Sequence, residues 1–293
     1  MLSYTHCTLC PRRCGVDRTR GQLGFCKMPG QIHAARAGVH YWEEPVISGS
    51  FGSGAVFFSG CTLKCAFCQN YNISQENFGK PMTSAELRAA FERLIDEGVQ
   101  NINLVTPTHF LPDILPALEP KLPVPVVYNC GGYESMETLR QLEGKIDVYL
   151  PDFKYSDNAL AKKLSSAPDY FETASAAILE MYRQVGKPVI EGDEMKRGVL
   201  VRHLVLPGCV DNSLGVLDWV AEHFRSGDIL FSLMSQYTPF YKAKDIPRLN
   251  RRITTFEYRK ALDAVYEAGL EGFMQERSSA KEEYTPEFDL TGI

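Results

Sequence analysis

From residue 54 onward, short apolar runs rich in β-branched and aromatic residues alternate with longer segments whose apolar residues recur at helical spacing. That pattern predicts repeated βα units and a parallel sheet. Strands are expected near residues 55–58, 101–105, 125–128, 146–150, 199–206 and 229–233, with a seventh near 270–274. The helix after the first strand is marked by a Thr83/Glu86 capping box, an apolar face of Leu87, Phe91, Leu94 and Ile95, and Gly98 as its stop. The last long helix repeats the device with Thr254 and Glu257, a stripe of Tyr258, Leu262, Val265 and Tyr266, and Gly269. Another stripe, residues 178–185, precedes Gly186, and the polar stretch 191–197 with its Gly-Asp core predicts a peripheral hairpin-like excursion.

Six such units are too few for a closed eight-stranded barrel but suffice for a partial (β/α)6 TIM-like barrel, open on one side; a doubly wound sheet is the alternative α/β fold. Residues 1–50 show no sustained period and predict a small Cys-rich metal-binding extension. Residues 51–275 then form the barrel. The remaining 276–293 also lack a period, leaving two readings: a solvated tail, or a lid that uses Tyr284, Phe288 and Leu290.

At 293 residues and 44% hydrophobic, the chain can bury one large core. Its first six residues have neither a charged nor an apolar leader region, so a soluble, cytoplasmic protein is expected. Seven of the nine cysteines fall in two tight clusters near the amino end, which is the arithmetic of metal binding in a reducing compartment rather than of disulfides. Cys130 and Cys209 stand alone; at the end of its strand, Cys130 reads either as packing or as a hydrogen donor or ligand. The formal charge is −5, yet residues 1–42 carry six basic residues against Asp17 alone, a local +5. Such a patch suits a solvated surface or the docking of an acidic electron donor; without an aromatic stacking array it does not predict nucleic-acid binding.

The densest chemistry lies in Cys61-Thr62-Leu63-Lys64-Cys65-Ala66-Phe67-Cys68, directly after the first predicted strand. Three thiolates in eight residues can hold three corners of a 4Fe-4S cube and leave one iron without a protein ligand. A structural zinc site is normally closed by four ligands, and this loop offers no fourth. Cys61, Cys65, Phe67 and Cys68 reproduce the Cys-x-x-x-Cys-x-aromatic-Cys motif, and on it the chain resembles the radical S-adenosylmethionine (SAM) superfamily. Within that superfamily it is similar to the pyruvate formate-lyase activating enzymes, in the branch that begins with its own cysteine cluster, and the resemblance covers nearly the whole chain.

The resemblance implies a 4Fe-4S cluster on Cys61, Cys65 and Cys68, chelation of SAM at the open iron, and reductive cleavage to methionine and a 5′-deoxyadenosyl radical that abstracts hydrogen. It implies SAM contacts at Phe67, at Thr106 and Thr108 in place of the Gly-Gly-Glu of the activases, and at Asn129 in an Asn-Cys-Gly-Gly turn. Asp152 and Lys154 match an Asp-Leu-Lys segment beside the methionine moiety, and Arg202 and Val205 match the segment that meets the SAM carboxylate and adenine. Gln236, beside Tyr237, stands where the activases carry a histidine.

Cys7, Cys10, Cys14 and Cys26 make a second, four-thiolate set that fits zinc or a further 4Fe-4S cluster equally well by ligand type. The expected function is therefore radical SAM hydrogen abstraction from a protein such as a glycyl radical enzyme, with reduced flavodoxin or ferredoxin as electron donor. Modification of a small molecule is the alternative within the same chemistry, and a non-catalytic iron-sulfur carrier or scaffold is the alternative outside it.

Overall fold

The computed structural model describes residues 2–275 and 286–293. Along the chain run β1 (Ile32–His40), α1 (Pro45–Ser48), β2 (Ser53–Phe58), α2 (Tyr71–Ser74), β3 (Lys80–Met82), α3 (Ser84–Asp96), β4 (Ile102–Val105), α4 (Leu111–Ala117), β5 (Val126–Cys130), α5 (Met136–Arg140) and β6 (Val148–Pro151). There follow α6 (Asn158–Ser165), α7 (Tyr170–Val185), β7 (Val189–Glu191), β8 (Glu194–Leu204), α8 (Val210–His223), β9 (Leu230–Met234), α9 (Thr255–Glu267) and β10 (Gly272–Met274).

The strands join in the order β10-β9-β8-β6-β5-β4-β2-β1-β3. From β2 to β10 all neighbours on this path are parallel, as short strands joined by helical crossovers require. Among the described residues no pairing joins β10 to β1 or β3, so the barrel stays open on that side. This is the expected partial α/β barrel, with the possible seventh strand present as β10.

The helices pack their apolar faces on the outside of the sheet, where Phe91, Leu94, Ile178, Met181, Val216 and Val265 form one continuous core with Tyr128, Tyr149 and Phe231 of the strands. A smaller core fills the inside, where Val127, Val148, Leu150, Leu200 and Leu230 close over Val46 and Ile47 of α1. The four-residue α1 thus plugs the barrel, and Asn101 fixes it by donating to the Ile47 carbonyl at 2.7 Å.

Both capping boxes form as the sequence predicts, at Thr83/Glu86 and at Thr254/Glu257. The polar excursion is the β7–β8 hairpin. Within residues 1–50 the structure adds what periodicity did not show: β1 pairs antiparallel with β2 over His40↔Ser53 to Ala34↔Phe58. Its sequence, Ile-His-Ala-Ala-Arg-Ala-Gly-Val-His, is dominated by small side chains, so it lacks the large apolar residues that mark the other strands. The tail divides too. Residues 286–293 lie against β1, whereas Tyr284 falls outside the described residues.

Candidate functional site

β2 ends at Phe58, and Gly60 turns the chain into the cysteine loop with φ 78°. A side chain there would strike the Met28 side chain at 2.4 Å and the Cys26 carbonyl at 3.0 Å, so glycine lets the amino-terminal extension press against this turn. Cys61, Cys65 and Cys68 are free thiols facing one cavity of about 240 Å³ at the carboxyl ends of the parallel strands, the face where barrels carry their chemistry.

Burial pushes the Cys61 thiol up to about 12 and Cys68 up to about 11, each raised further by Cys65, and burial raises Cys65 as well. Three soft donors that raise one another's affinity for protons lie close together, and cationic iron reverses that cost by taking the thiolates. Donors already point at the sulfurs: the Ser165 hydroxyl reaches Cys65 Sγ at 3.0 Å, the Leu63 amide reaches Cys61 Sγ at 3.4 Å, and the Ser74 hydroxyl lies 3.2 Å from Cys68 Sγ. Lys64 Nζ is buried without a hydrogen-bond partner, 5.4 Å from the Phe25 ring centroid; burial lowers it, while the charges of Cys61 and Cys26 raise it. An ammonium lacking a hydrogen bond beside two thiols fits a site that becomes anionic. Among the described residues no three Cys, His, Asp or Glu side chains are gathered for a single ion; a cubane instead distributes its thiolates over separate irons.

Opposite the loop, the strands turn a charged set into the same cavity. Arg202 on β8 is its hub. Its Nε donates to Asp152 at 2.8 Å, Nη1 to Glu43 at 2.9 Å and Nη2 to Asn129 at 2.7 Å. Lys154 Nζ donates to the other Asp152 oxygen at 2.6 Å, and Asn129 Nδ2 to the other Glu43 oxygen at 3.0 Å. Burial opposes the charge on Asp152, but Arg202 and Lys154 outweigh it and hold its carboxyl below the usual range. Burial likewise opposes the charge on Lys154, yet Asp152 and Cys65 raise it. Two cations and two carboxylates make a locally neutral set, matched to the ammonium and carboxylate of an amino-acid moiety, which can exchange partners with it pairwise.

Most of the sequence-predicted residues meet here: Phe67, Thr106, Asn129, Asp152, Lys154, Arg202 and Gln236 line the cavity with the three cysteines. Thr106 does so with φ 61°, a left-handed conformation that a β-branched residue rarely takes, immediately after β4. Thr108 and Val205 do not line it. A turn of 3₁₀ helix carries Thr108 behind the sheet, where its hydroxyl donates to Glu134 at 2.9 Å and accepts from Tyr128 at 3.0 Å. Val205 follows the strand alternation: Arg202 and Leu204 face the cavity, so Val205 turns into the outer core.

Glu43 and Glu44 were missed. They sit in the segment read as extension, and the only signal was a Glu-Glu-Pro run before a short apolar stretch, which any solvated turn shares. Burial pushes Glu44 up to about 7, against the pull of Arg202 and a 2.9 Å hydrogen bond from Ser232. Cys130 borders the cavity, but burial, and after it the charge of Glu134, hold its thiol well above the usual range. Cys209 is buried in the outer core.

The extension is joined to the barrel by two arginines. Arg18 is fully buried and donates to the carbonyls of Met28 at 3.0 Å, Pro29 at 2.7 Å and His109 at 2.6 Å. Arg12 donates to the Thr62 carbonyl at 2.9 Å and stacks on Phe25 and Tyr133. Two of the six basic residues are therefore internal staples rather than a docking surface. Cys7, Cys10, Cys14 and Cys26 lie around this joint. Burial raises Cys10 and Cys26; Cys10 is raised further by Cys26 and Cys14, and Cys26 by Cys7 and Cys14. The Phe25 amide donates to Cys14 Sγ at 3.3 Å. Among the described residues no helix is long and apolar enough to cross a membrane.

An uncharacterized protein of Methanocaldococcus jannaschii is 33% identical over 271 residues, covering 89% of this chain and 74% of that protein. Among solved structures, Streptococcus suis SuiB bound to precursor peptide SuiA is similar at 15% identity and a TM-score of 0.49 over 74% of this chain; the match spans 46% of SuiB. A domain of pyruvate-formate lyase-activating enzyme from Bacteroides vulgatus is similar at 10% identity and a TM-score of 0.39, covering 66% of this chain and 91% of that domain. Residues 55–220, more than half the chain, match the family model of the radical SAM superfamily, and the chain belongs to that superfamily, whose enzymes use a 4Fe-4S cluster and SAM.

Proposed function

We propose that this chain is a radical SAM enzyme that abstracts hydrogen from a protein substrate, in the manner of the glycyl radical enzyme activases. The observation that carries the reading is one cavity walled on one side by three thiols, Cys65 buried and Cys61 and Cys68 half-buried, and on the other by a charge-balanced set of Arg202, Asp152, Lys154 and Glu43. Cys61, Cys65 and Cys68 hold the cluster, with Lys64 offsetting its charge. Asp152 receives the SAM ammonium, while Arg202 and Lys154 receive the carboxylate. When bound, cluster and SAM together supply the electron and the hydrogen-abstracting group. The protein's part is to orient the methionine moiety and to keep water from the cavity, for which Phe67 and Tyr237, with ring centroids 6.1 Å apart, form an apolar wall.

Cys7, Cys10, Cys14 and Cys26 hold a second centre, zinc or 4Fe-4S; that among the described residues no three of them are gathered for a single ion favours the cluster, and metal analysis of anaerobic protein distinguishes the two. Reduced flavodoxin or ferredoxin is the proposed electron donor. The division into extension, barrel and tail at residues 50 and 275 belongs to this reading, with β1 contributed by the extension to the common sheet.

The test is SAM cleavage. Anaerobic, dithionite-reduced protein yields 5′-deoxyadenosine, and Cys65→Ala abolishes it. Cluster-replete protein that yields none is an electron carrier. A glycyl radical signal on a partner protein identifies the activase, whereas a mass change on a metabolite identifies the small-molecule enzyme.

A further inference from the structure

Residues 286–293 lie along β1 and turn at Leu290, whose φ is 67° and whose carbonyl accepts from the Ile293 amide at 3.1 Å. The Leu290 amide donates to the Ala35 carbonyl at 3.0 Å, and the Ala37 amide donates to the Thr291 carbonyl at 2.9 Å. β3 pairs with β1 only at residues 32–34. The Ala37 amide, given to Thr291, is turned away from β2, so the tail takes the stretch of edge that β3 leaves open. Exposure alternates along it: Pro286, Phe288 and Leu290 are half-buried, whereas Glu287, Asp289 and Thr291 are exposed.

The groove beneath is built for such a chain. Phe288 meets Phe57 edge-on at 5.3 Å, over the small residues Ala35 and Ala55. Arg36 donates to the Glu287 carbonyl and to the Asp289 carboxylate, both at 3.1 Å, and Arg93 donates to the Gly292 carbonyl at 3.3 Å. Two residues before Phe288, Pro286 forms part of the wall of the SAM cavity. Two main-chain hydrogen bonds, an apolar recess and two guanidiniums hold a short segment with alternating apolar side chains against a sheet edge, the groups by which strand addition recognises a peptide.

We propose that this edge of β1 is the docking site for an extended segment of the protein substrate, and that the carboxyl-terminal residues are a resident stand-in which the substrate displaces. The proposal rests on the reading above that the substrate is a protein. It specifies the segment's chemistry: apolar side chains at alternate positions, with an acidic residue between two of them opposite Arg36. A segment seated in the tail's place delivers the residue at the Pro286 position to the cavity wall. Because the tail is tethered, it competes at a high effective concentration, so free peptide gains access only when the tail is loosened.

The probe is a fluorescein-labelled peptide of residues 286–293, added to the full-length chain and followed by anisotropy. Phe288→Glu, which places a carboxylate in the apolar recess, is expected to bind the peptide at least ten-fold more tightly than wild type, and Arg36→Glu in the same background is expected to lose that gain. Hydrogen exchange at the Ala37 amide rises in Phe288→Glu and is suppressed again by saturating peptide. Equal peptide binding by wild type and Phe288→Glu, with native circular dichroism and faster Ala37 exchange, overturns the proposal. Formation of 5′-deoxyadenosine separates the two claims: a chain that cleaves SAM but gains no peptide binding loses only the docking site, and one that gains peptide binding without cleaving SAM keeps the docking site and loses the radical reading.

Discussion

Arg202 is the residue on which the charged half of the cavity turns, since Asp152, Glu43 and Asn129 all accept from it. Arg202→Met leaves two carboxylates buried beside a single lysine, a loss of about 3–5 kcal/mol that urea unfolding measures. Lysine at the same position keeps the charge but lacks the planar fork that reaches three partners, so Arg202→Lys is expected to fall between wild type and Met. Behind the sheet, burial pushes Glu134 up to about 7, although Thr108 and Tyr128 donate to it. The unfolded carboxyl titrates near 4.3, so between about 4.3 and 7 the native state holds the extra proton. Its contribution is complete below that window and lost as pH rises through it. The buried imidazoles His109, lowered to about 3, and His203, lowered to about 4, act oppositely and lose stability as pH falls below their unfolded value. The wild-type minus Glu134→Gln difference isolates the carboxyl: it is expected to decline by on the order of 3 kcal/mol between pH 4.3 and 7, and a flat difference shows that Glu134 is ionised in the native state. Arg202 and Asp152 were legible because a motif places them at strand ends. Glu43 was not, because its partners Arg202, Asn103 and Asn129 lie on three other strands, and only the folded sheet brings these together.

Among the elements, α3 and α9 begin with the same capping box, yet the two boxes carry different loads. Glu86 at the start of α3 is exposed and serves its own helix. Glu257 of α9 also accepts from Arg251 at 2.6 and 2.8 Å and from the Gly208 amide at 2.5 Å, so it ties the helix to the turn after β8. Glu86→Ala is expected to cost about 1 kcal/mol, the usual worth of a cap, and Glu257→Ala about 2–3 kcal/mol, since charged hydrogen bonds contribute more. Equal midpoint shifts in thermal unfolding count against the tie. These helices were readable because a capping box is a local, four-residue event. The parallel strands were readable because, buried on both faces, they need unbroken apolar runs such as Ala-Val-Phe-Phe. β1 was hidden for the complementary reason: as an antiparallel strand of small residues it depends on β2 for its identity. α1 was hidden because four residues carry no period, and its role as a plug comes from where the barrel receives it.

At the scale of the whole molecule, the barrel's open side and the extension's docking follow from one arrangement. β1 leaves the cysteine-rich segment, joins the sheet beyond β2, and sends Glu43, Glu44 and α1 back inside the barrel. The amino-terminal residues are thereby bound to the site by covalent continuity as well as by Arg12 and Arg18. Arg12 reaches the barrel at Thr62, Ser165 and Ser166, whereas Arg18 gathers the carbonyls of Met28 and Pro29 of the extension and of His109 of the barrel on one guanidinium that Tyr4 and Phe110 cover, so it holds the extension's own fold and its seat together. Arg18→Met fills the same space but leaves those carbonyls without a donor in a buried setting, at about 1–3 kcal/mol each before relaxation. Relaxation means residues 2–31 lifting from the barrel, not the barrel melting, since the parallel strands share no hydrogen bond with Arg18. The expected outcome is localised: in Arg18→Met, amide exchange of residues 2–31 and their cleavage by protease rise at least ten-fold, while β4–β6 keep wild-type protection. Uniform loss of protection across both regions shows instead that extension and barrel unfold as one cooperative unit, and that Arg18 serves the common core.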